Sequence, residues 1–279
     1  MSLEIIFLIV LAFIWIIFAT FQDLKTNEIS NWISFSLIIF AMALRFFYSL
    51  FNGPDFGFFY QGLMGLIIFI VIGHLLYYVK FFAGGDAKLF MALGPVIPFA
   101  MDLNTNVKIF AIFLLLFLLL GALYSLSASI YLSLINFRKF QREFSKQFKQ
   151  NRILLTWIVL TAIIFIILGF IEEIFLYFGI LFFIFPWLYI YTKSVDESCM
   201  IKKIKTTKLT EGDWLYKNLK IGKKSIKARW EGLSKEEIFL IRKKHKYVLI
   251  RQGVPFSPVF LLTFLAFIYF WQKGFFGLI

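Results

Sequence analysis

Two aspartates carry the chemical interest of this chain. Asp23 ends a long apolar run in Phe21-Gln22-Asp23-Leu24-Lys25, and Asp86 precedes another in Ala83-Gly84-Gly85-Asp86-Ala87-Lys88. A carboxylate at the edge of hydrocarbon is costly and calls for a partner, water or a task. Two of them at corresponding ends of neighbouring apolar segments suggest one shared site. Like charges a few Å apart resist ionising together, so such a pair holds one proton between two carboxyls. One carboxyl then acts as base toward water while the other protonates the carbonyl oxygen under attack. That is the chemistry of peptide hydrolysis by an aspartic protease, here at a membrane surface. The plainer reading makes each aspartate a helix cap, since Asp is favoured at helix starts.

The flanking residues suit the chemical reading. Lys25-Thr26-Asn27-Glu28 is a short polar link that admits water beside Asp23. Gly84-Gly85 lacks side chains and permits close approach of a second backbone, whether a helix or a peptide. A fourth helix starting at Asp86 would favour the ionised carboxylate there through its dipole. Lys88, two residues on, would then point elsewhere.

The elements that must position these residues are membrane helices. The chain of 279 residues is 61% hydrophobic and 16% charged, more apolar surface than a soluble domain of this size can hide. Apolar runs at Leu3–Phe21, Trp32–Phe51, Gly62–Val79, Val107–Ile135, Ile153–Phe170, Ile174–Tyr191 and Phe256–Trp271 do not alternate with polar residues. They read as helices rather than barrel strands. A further run, Leu89–Met101, is short and interrupted by Gly94, Pro95 and Pro98.

Loop charge argues that this short run crosses too. Asn136–Arg152 carries six Lys and Arg against Glu143, and Thr192–Pro255 carries 17 of the 29 in the chain. Both segments should be cytoplasmic by the positive-inside rule. Eight crossings with the N-terminus outside place them there, the fourth crossing being short or kinked. The same count puts Asn52–Gln61 and Glu172-Glu173 outside and both aspartates at the cytoplasmic face. The expected fold is therefore an all-α polytopic bundle of about eight helices with a small cytoplasmic subdomain before the last. The expected divisions are a catalytic membrane domain at 1–135, a basic loop and helical hairpin at 136–191, a basic cytoplasmic segment at 192–255, and a terminal helix at 256–279.

Other residues invite quieter readings. His74 lies within the third run, where a lone histidine is more often packed or hydrogen-bonded than catalytic. Arg45, late in the second, can snorkel outward or pair with Asp102. Glu4 and the lack of a small-residue cleavage site make the first run a retained helix rather than a signal peptide. Ser234 and Glu237 form a capping-box pattern before an amphipathic stretch, and Trp214 and Trp230 are aromatic anchors. The net charge of +13 sits in membrane-flanking loops, which implies anionic lipid as a partner and no nucleic acid. One cysteine, Cys199, and two distant histidines imply no metal, and no organic cofactor is expected.

Taken together, Asp23 followed by Ile29-Ser30, with Ala83-Gly84-Gly85-Asp86-Ala87-Lys88 two apolar segments later, resembles the type IV prepilin and preflagellin peptidases. These are membrane aspartic proteases of the GxGD class. The resemblance implies that Asp23 and Asp86 form the catalytic dyad, with Ala83, Gly84, Gly85 and Lys88 as motif residues on the approach to it. Ala83 stands where the family has its first Gly. Ser30 and the segment Gly253-Val254-Pro255-Phe256-Ser257-Pro258 are closer to archaeal members. The paired-cysteine domain of long bacterial members is absent, so N-methylation is not implied.

The implied function is cleavage of short basic leaders from membrane-anchored pilin- or flagellin-like precursors, in a multi-pass cell-membrane protein with its active site at the cytoplasmic face. Presenilin-type GxGD proteases fit less well, because the Pro-Ala-Leu motif is missing and Gln22, not Tyr, precedes Asp23. The alternative of another class is a proton- or cation-coupled transporter using the same two aspartates. Against it, both fall at one membrane face and no repeat with paired broken helices is visible.

Overall fold

The computed structural model describes residues 2–52, 56–221, 224–229 and 231–274. Trp230 and part of the Asn52–Gln61 loop lie outside the described residues. Among the described residues there are ten α-helices and five short strands, and the chain divides into two compact units, one of residues 1–125 with 255–279 and the other of residues 126–254.

The first unit contains α1 (Leu3–Thr26), α2 (Asn31–Phe51), α3 (Gly57–Tyr78), α4 (Gly84–Ala92), the first two-thirds of α5 (Leu103–Ile135) and α10 (Pro258–Gln272). Helices α1, α2, α3 and α5 are each long and apolar enough to cross a membrane. Most of their large apolar side chains face outward, as Phe18, Phe21, Ile39 and Val71 do, which suits a lipid solvent. The interior is aromatic. Phe69 stacks on Phe90 at 4.8 Å between centroids, and Phe117 meets Phe260 edge-on at 4.8 Å. Phe82 joins the same cluster through Phe117. Such offset and edge contacts add to the area buried, and here they lock α4, α5 and α10 around the end of the bundle where α4 begins.

Of the run Leu89–Met101 only the first four residues are helical, as the end of the nine-residue α4, and turns at residues 93–96 and irregular chain follow through Gly94, Pro95 and Pro98. At the start of α4, Gly85 lies against Ile29 in the α1–α2 turn. At the far end of the run, Gln61 near the start of α3 donates to the Met101 carbonyl at 3.0 Å. The segment therefore passes from one end of the bundle to the other with barely half its length helical. Backbone groups outside a helix find no water inside an apolar bundle and must be satisfied by protein.

Arg45 does this. Fully buried, it donates from Nε to the Pro95 carbonyl at 2.6 Å, from Nη1 to Phe58 at 2.8 Å, and from Nη2 to Pro98 at 2.5 Å and Val96 at 3.4 Å. The guanidinium also lies 4.2 Å from the Phe58 ring centroid. This corrects the reading of Arg45 as an outward snorkel or a partner of Asp102: five rigid donors match a cluster of freed carbonyls better than one carboxylate could. Asp102 instead accepts from the Thr105 amide at 2.8 Å, as a helix-start cap. Beside Arg45, a side chain on Gly65 would collide with the Gly94 carbonyl at 2.3 Å, so α3 and the broken segment touch backbone to backbone.

The second unit holds the rest of α5, α6 (Phe137–Gln150), α7 (Arg152–Leu168), α8 (Glu173–Cys199), β1 (Ile201–Lys205), β2 (Trp214–Leu215), β3 (Leu219–Ile221), β4 (Lys224–Ile226), α9 (Lys235–Lys244) and β5 (Tyr247–Arg251). Helix α8 is the fifth of membrane length, and α6 with α7 forms a pair bent by 74°. Eight apolar runs were expected to cross; α4, α7 and α10 are shorter than a full membrane-length helix. Two phenylalanines of amphipathic α6 meet rings of α8, Phe140 on Tyr191 and Phe148 on Trp187.

Beyond Cys199 the chain forms an antiparallel sheet in the order β1-β5-β2, a β3–β4 hairpin and α9, which begins with the expected Ser234–Glu237 capping box. Leu215, Ile238, Ile241, Val248 and Ile250 make its separate core. Arg251 ties β5 to the end of α8 through Asp196 at 3.2 Å and Glu197 at 2.8 Å. Cys199 is buried and donates weakly to the Leu132 carbonyl at 3.5 Å.

Replacing Arg45 by Met keeps volume and removes every donor. Hydrogen bonds to a charged group are worth about 1.5–3 kcal/mol each, so Arg45→Met should lower stability by about 3 kcal/mol or more, read as a clear fall in thermal midpoint in detergent or nanodiscs. Arg45→Lys should recover only part of it. An unchanged midpoint for Arg45→Met would show that the broken segment does not depend on these bonds.

Candidate active site

Asp23 occupies the last turn of α1. The helix ends three residues later, at Thr26, because Asn27 adopts a left-handed conformation (φ 56°) and returns its amide to the Asp23 carbonyl at 2.7 Å. Asn tolerates that conformation better than most residues. Gln22 then fixes the turn into α2: its Oε1 accepts from the Ser30 amide at 3.1 Å, and its Nε2 donates to Ser30 Oγ. The Thr26 hydroxyl closes back on the Gln22 carbonyl at 2.9 Å. The polar link is thus a short clasp that presents Ile29 inward, 9% exposed, and leaves Lys25 and Glu28 in the open.

Asp86 lies in the first turn of α4, which begins at Gly84 rather than at Asp86. A Cβ on Gly85 would come within 3.2 Å of Ile29 Cβ and 3.4 Å of Ile29 N. Glycine there lets the start of α4 settle onto the α1–α2 turn. At Gly84 the space is open, with Tyr77 the nearest contact at 4.0 Å. Ala83 is extended (φ −71°, ψ 163°) and precedes the helix; such a backbone makes no demand for glycine, so Ala at this motif position is sterically ordinary. Lys88 reaches across to Asn31 Oδ1 at 2.7 Å and pins α4 to the first turn of α2.

These contacts bring the two carboxyls together. Asp23 is 6% and Asp86 9% exposed, and Gly85, next to Asp86, rests on Ile29 of the turn that follows Asp23. Two buried carboxylates in one apolar site would each carry a desolvation cost of several kcal/mol, in addition to their repulsion. The pair is therefore suited to base and acid roles that exchange during a reaction.

Three further residues reach the site that the sequence did not single out for chemistry. The Ser257 amide, just before α10, donates to Asp23 Oδ2 at 3.1 Å. The Thr20 hydroxyl, one turn before Asp23, makes a long contact of 3.4 Å to the Ser257 carbonyl. Tyr124 in α5 donates to the Pro255 carbonyl at 2.9 Å, two residues before Ser257. The resemblance drew attention to residues 253–258, but nothing in their types reveals a backbone donor. Two prolines bracketing Phe256-Ser257 were the available sign, since they stiffen the approach and Pro258 opens a helix.

His74 stays outside the site. Its Nδ1 lies 2.9 Å from the Ile70 carbonyl on an exposed face of α3. No cluster of three or more His, Cys, Asp or Glu side chains able to hold a metal occurs among the described residues.

Residues 10–135, which contain both aspartates, match the model of the type IV leader peptidase family. A preflagellin peptidase of Methanocaldococcus jannaschii is 31% identical over 93 residues, covering 33% of this chain and 39% of that protein. One of Methanococcus voltae is 31% identical over 83 residues, covering 30% of this chain and 35% of that protein. The chain thus spans less than two-fifths of the length of the curated relatives it matches. No solved structure matches it.

The contact under Gly85 can be tested apart from any reaction. Gly85→Ala forces the Ile29 turn to give way, and overpacking of this kind costs about 1–3 kcal/mol. Gly84→Ala, with open space, should cost under about 0.5 kcal/mol. Thermal unfolding of the two variants should separate them in that order; equal effects would mean that α4 does not rest on Ile29.

Proposed function

We propose that this chain, whose residues 10–135 match the model of the type IV leader peptidase family, is a member of that family and a membrane aspartic endopeptidase that removes short basic leaders from pilin- or flagellin-like precursors. The observation that carries the proposal is the burial of both Asp23 and Asp86 where the start of α4 rests, through Gly85, on Ile29 of the α1–α2 turn. In the proposed reaction a water between the carboxyls loses a proton to the ionised one and attacks the scissile carbonyl carbon. The protonated one gives its proton to the carbonyl oxygen. As the tetrahedral gem-diol collapses, the amine leaves with a proton from the carboxyl that accepted it, and one gem-diol hydroxyl returns its proton to the other carboxylate, so the pair again holds one proton. The product is a leader with a new carboxylate and a mature protein with a new N-terminus.

The proposed substrate lies with its apolar helix beside α1 and α2 and its leader junction at the polar clasp. Proximity of this kind supplies much of the rate in a slow hydrolysis. The cytoplasmic side is the natural one for that junction, by the basic loops noted above. A basic leader must also find negative charge. Asp213 is engaged with the Thr210 amide and Glu211 with Lys235. Glu28 is exposed on the clasp that follows Asp23, which makes it the acidic side chain best placed to receive a leader lysine or arginine.

The test is cleavage in membranes. A precursor with a basic leader and an apolar helix, incubated with the wild-type protein, should yield a mature chain whose sequenced N-terminus begins at the leader junction. Asp23→Asn and Asp86→Asn, each still inserted in the membrane, should lower the rate by about 10³-fold or more, since each removes one partner of a unit. Processing by either variant within about tenfold of wild type would take that residue out of the reaction.

A further inference from the structure

The catalytic pair is held from a third side by a part of the chain more than 230 residues away from Asp23. Ser257 is fully buried, and its amide is aimed at one carboxylate oxygen, Oδ2 of Asp23, at 3.1 Å. Its side-chain hydroxyl has no hydrogen-bond partner among the described residues. What Ser257 brings to the site is therefore its backbone N–H.

That amide is not free to wander. Two residues before it, the Pro255 carbonyl accepts from Tyr124. Phe256 is inserted among Phe82, Phe117 and Phe260, with its ring 3.1 Å from where a Cβ on Gly121 would stand. One residue after it, Pro258 begins α10, and the Val259 and Phe260 amides return to the Phe256 and Ser257 carbonyls at 3.0 Å. The segment is a strap with each residue fixed by a different neighbour. A buried amide needs an acceptor, and the acceptor supplied here is a carboxyl of the dyad.

We propose that Pro255–Ser257 is a positioning strap for the reaction put forward above, in which the Ser257 amide sets the rotamer of Asp23 and determines which of its oxygens can carry the shared proton. An N–H directed at Oδ2 commits that oxygen as an acceptor. The proton of the dyad, when it resides on Asp23, is then confined to Oδ1. Proton exchange between the carboxyls runs through one defined pair of oxygens rather than four. Tyr124 acts one step further out, by holding the Pro255 carbonyl. Neither residue touches substrate in this scheme, so their loss falls on kcat and spares KM.

The deciding experiment deletes the donor and otherwise only weakens the Phe256 carbonyl as acceptor of the Val259 amide. Lactic acid placed at position 257 by translation with an acylated suppressor tRNA turns the amide into an ester, and Ser257→Ala, which keeps the amide, is its reference. An ester at position 259 removes the neighbouring Val259 amide bond without touching Asp23 and serves as the structural control. With the full chain in nanodiscs and a precursor bearing a basic leader, the ester at 257 should lower kcat by about 10–100-fold relative to Ser257→Ala, the range for a bond to a charged group. KM should stay within about twofold, and the ester at 259 should leave kcat within about twofold. Equal losses at 257 and 259, or a loss confined to KM, would overturn the strap while leaving the peptidase reading in place. A second readout needs no turnover. In protein labelled with 15N-serine, the Ser257 amide proton should resonate downfield and move upfield in Asp23→Asn. An unmoved resonance would overturn the proposal even if the wild-type protein cleaved no precursor, an outcome that by itself would count against the peptidase reading alone.

Discussion

A membrane bundle cannot leave backbone polar groups unpaired, and that constraint governs the arrangement of this protein. The segment from Gly84 to Met101 passes through the first unit with only nine residues in helix. The carbonyls of Pro95, Val96 and Pro98 lose helical partners and gain those of Arg45. A buried guanidinium would itself cost several kcal/mol without partners, so neither the broken segment nor the arginine is tolerable alone. Each satisfies the other. Because the far end of the segment is held in this way, its near end is free to be short and to deliver Asp86 at the start of a helix rather than in the middle of one.

The near end is a matter of close approach. Gly85 lets α4 rest on Ile29, and Ile29 is presented by a turn that Gln22 and Asn27 fold back toward Asp23. Asp23 and Asp86 are brought together by contacts among their immediate sequence neighbours, which accounts for short motifs at both positions. The strap at 255–257 adds what neighbours in sequence cannot supply, a donor approaching Asp23 from another helix. Lys88 completes the frame by joining α4 to α2 through Asn31.

Much of this was legible in the residue order. Intramembrane carboxylates are rare enough that Asp23 and Asp86 stand out, and Gly84-Gly85 announces close backbone contact. The broken character of the fourth segment follows from Gly94, Pro95 and Pro98. The capping box at Ser234 and the alternation in Tyr247–Arg251, with Val248 and Ile250 buried, could be read locally. What escaped depends on distance in sequence. Arg45 looked like a snorkelling cation because its acceptors are main-chain carbonyls some fifty residues on, and carbonyls have no letter in a sequence. Ser257 was hidden for the same reason, since its contribution is an N–H that any residue but proline could make. The two glycines also look alike as letters, yet only Gly85 meets Ile29.

The account rests on Asp23 and Asp86 forming one site, and cysteine cross-linking measures that directly. In a Cys199→Ser background, Asp23→Cys combined with Asp86→Cys should form a disulfide rapidly on mild oxidation in native membranes. Ile29→Cys combined with Gly85→Cys, a pair in direct contact, calibrates the reaction. Cross-linking of both pairs at comparable rates is the predicted result. Efficient cross-linking of 29 with 85 but none of 23 with 86, with either oxidant or a short bifunctional reagent, would separate the carboxylates and contradict the dyad.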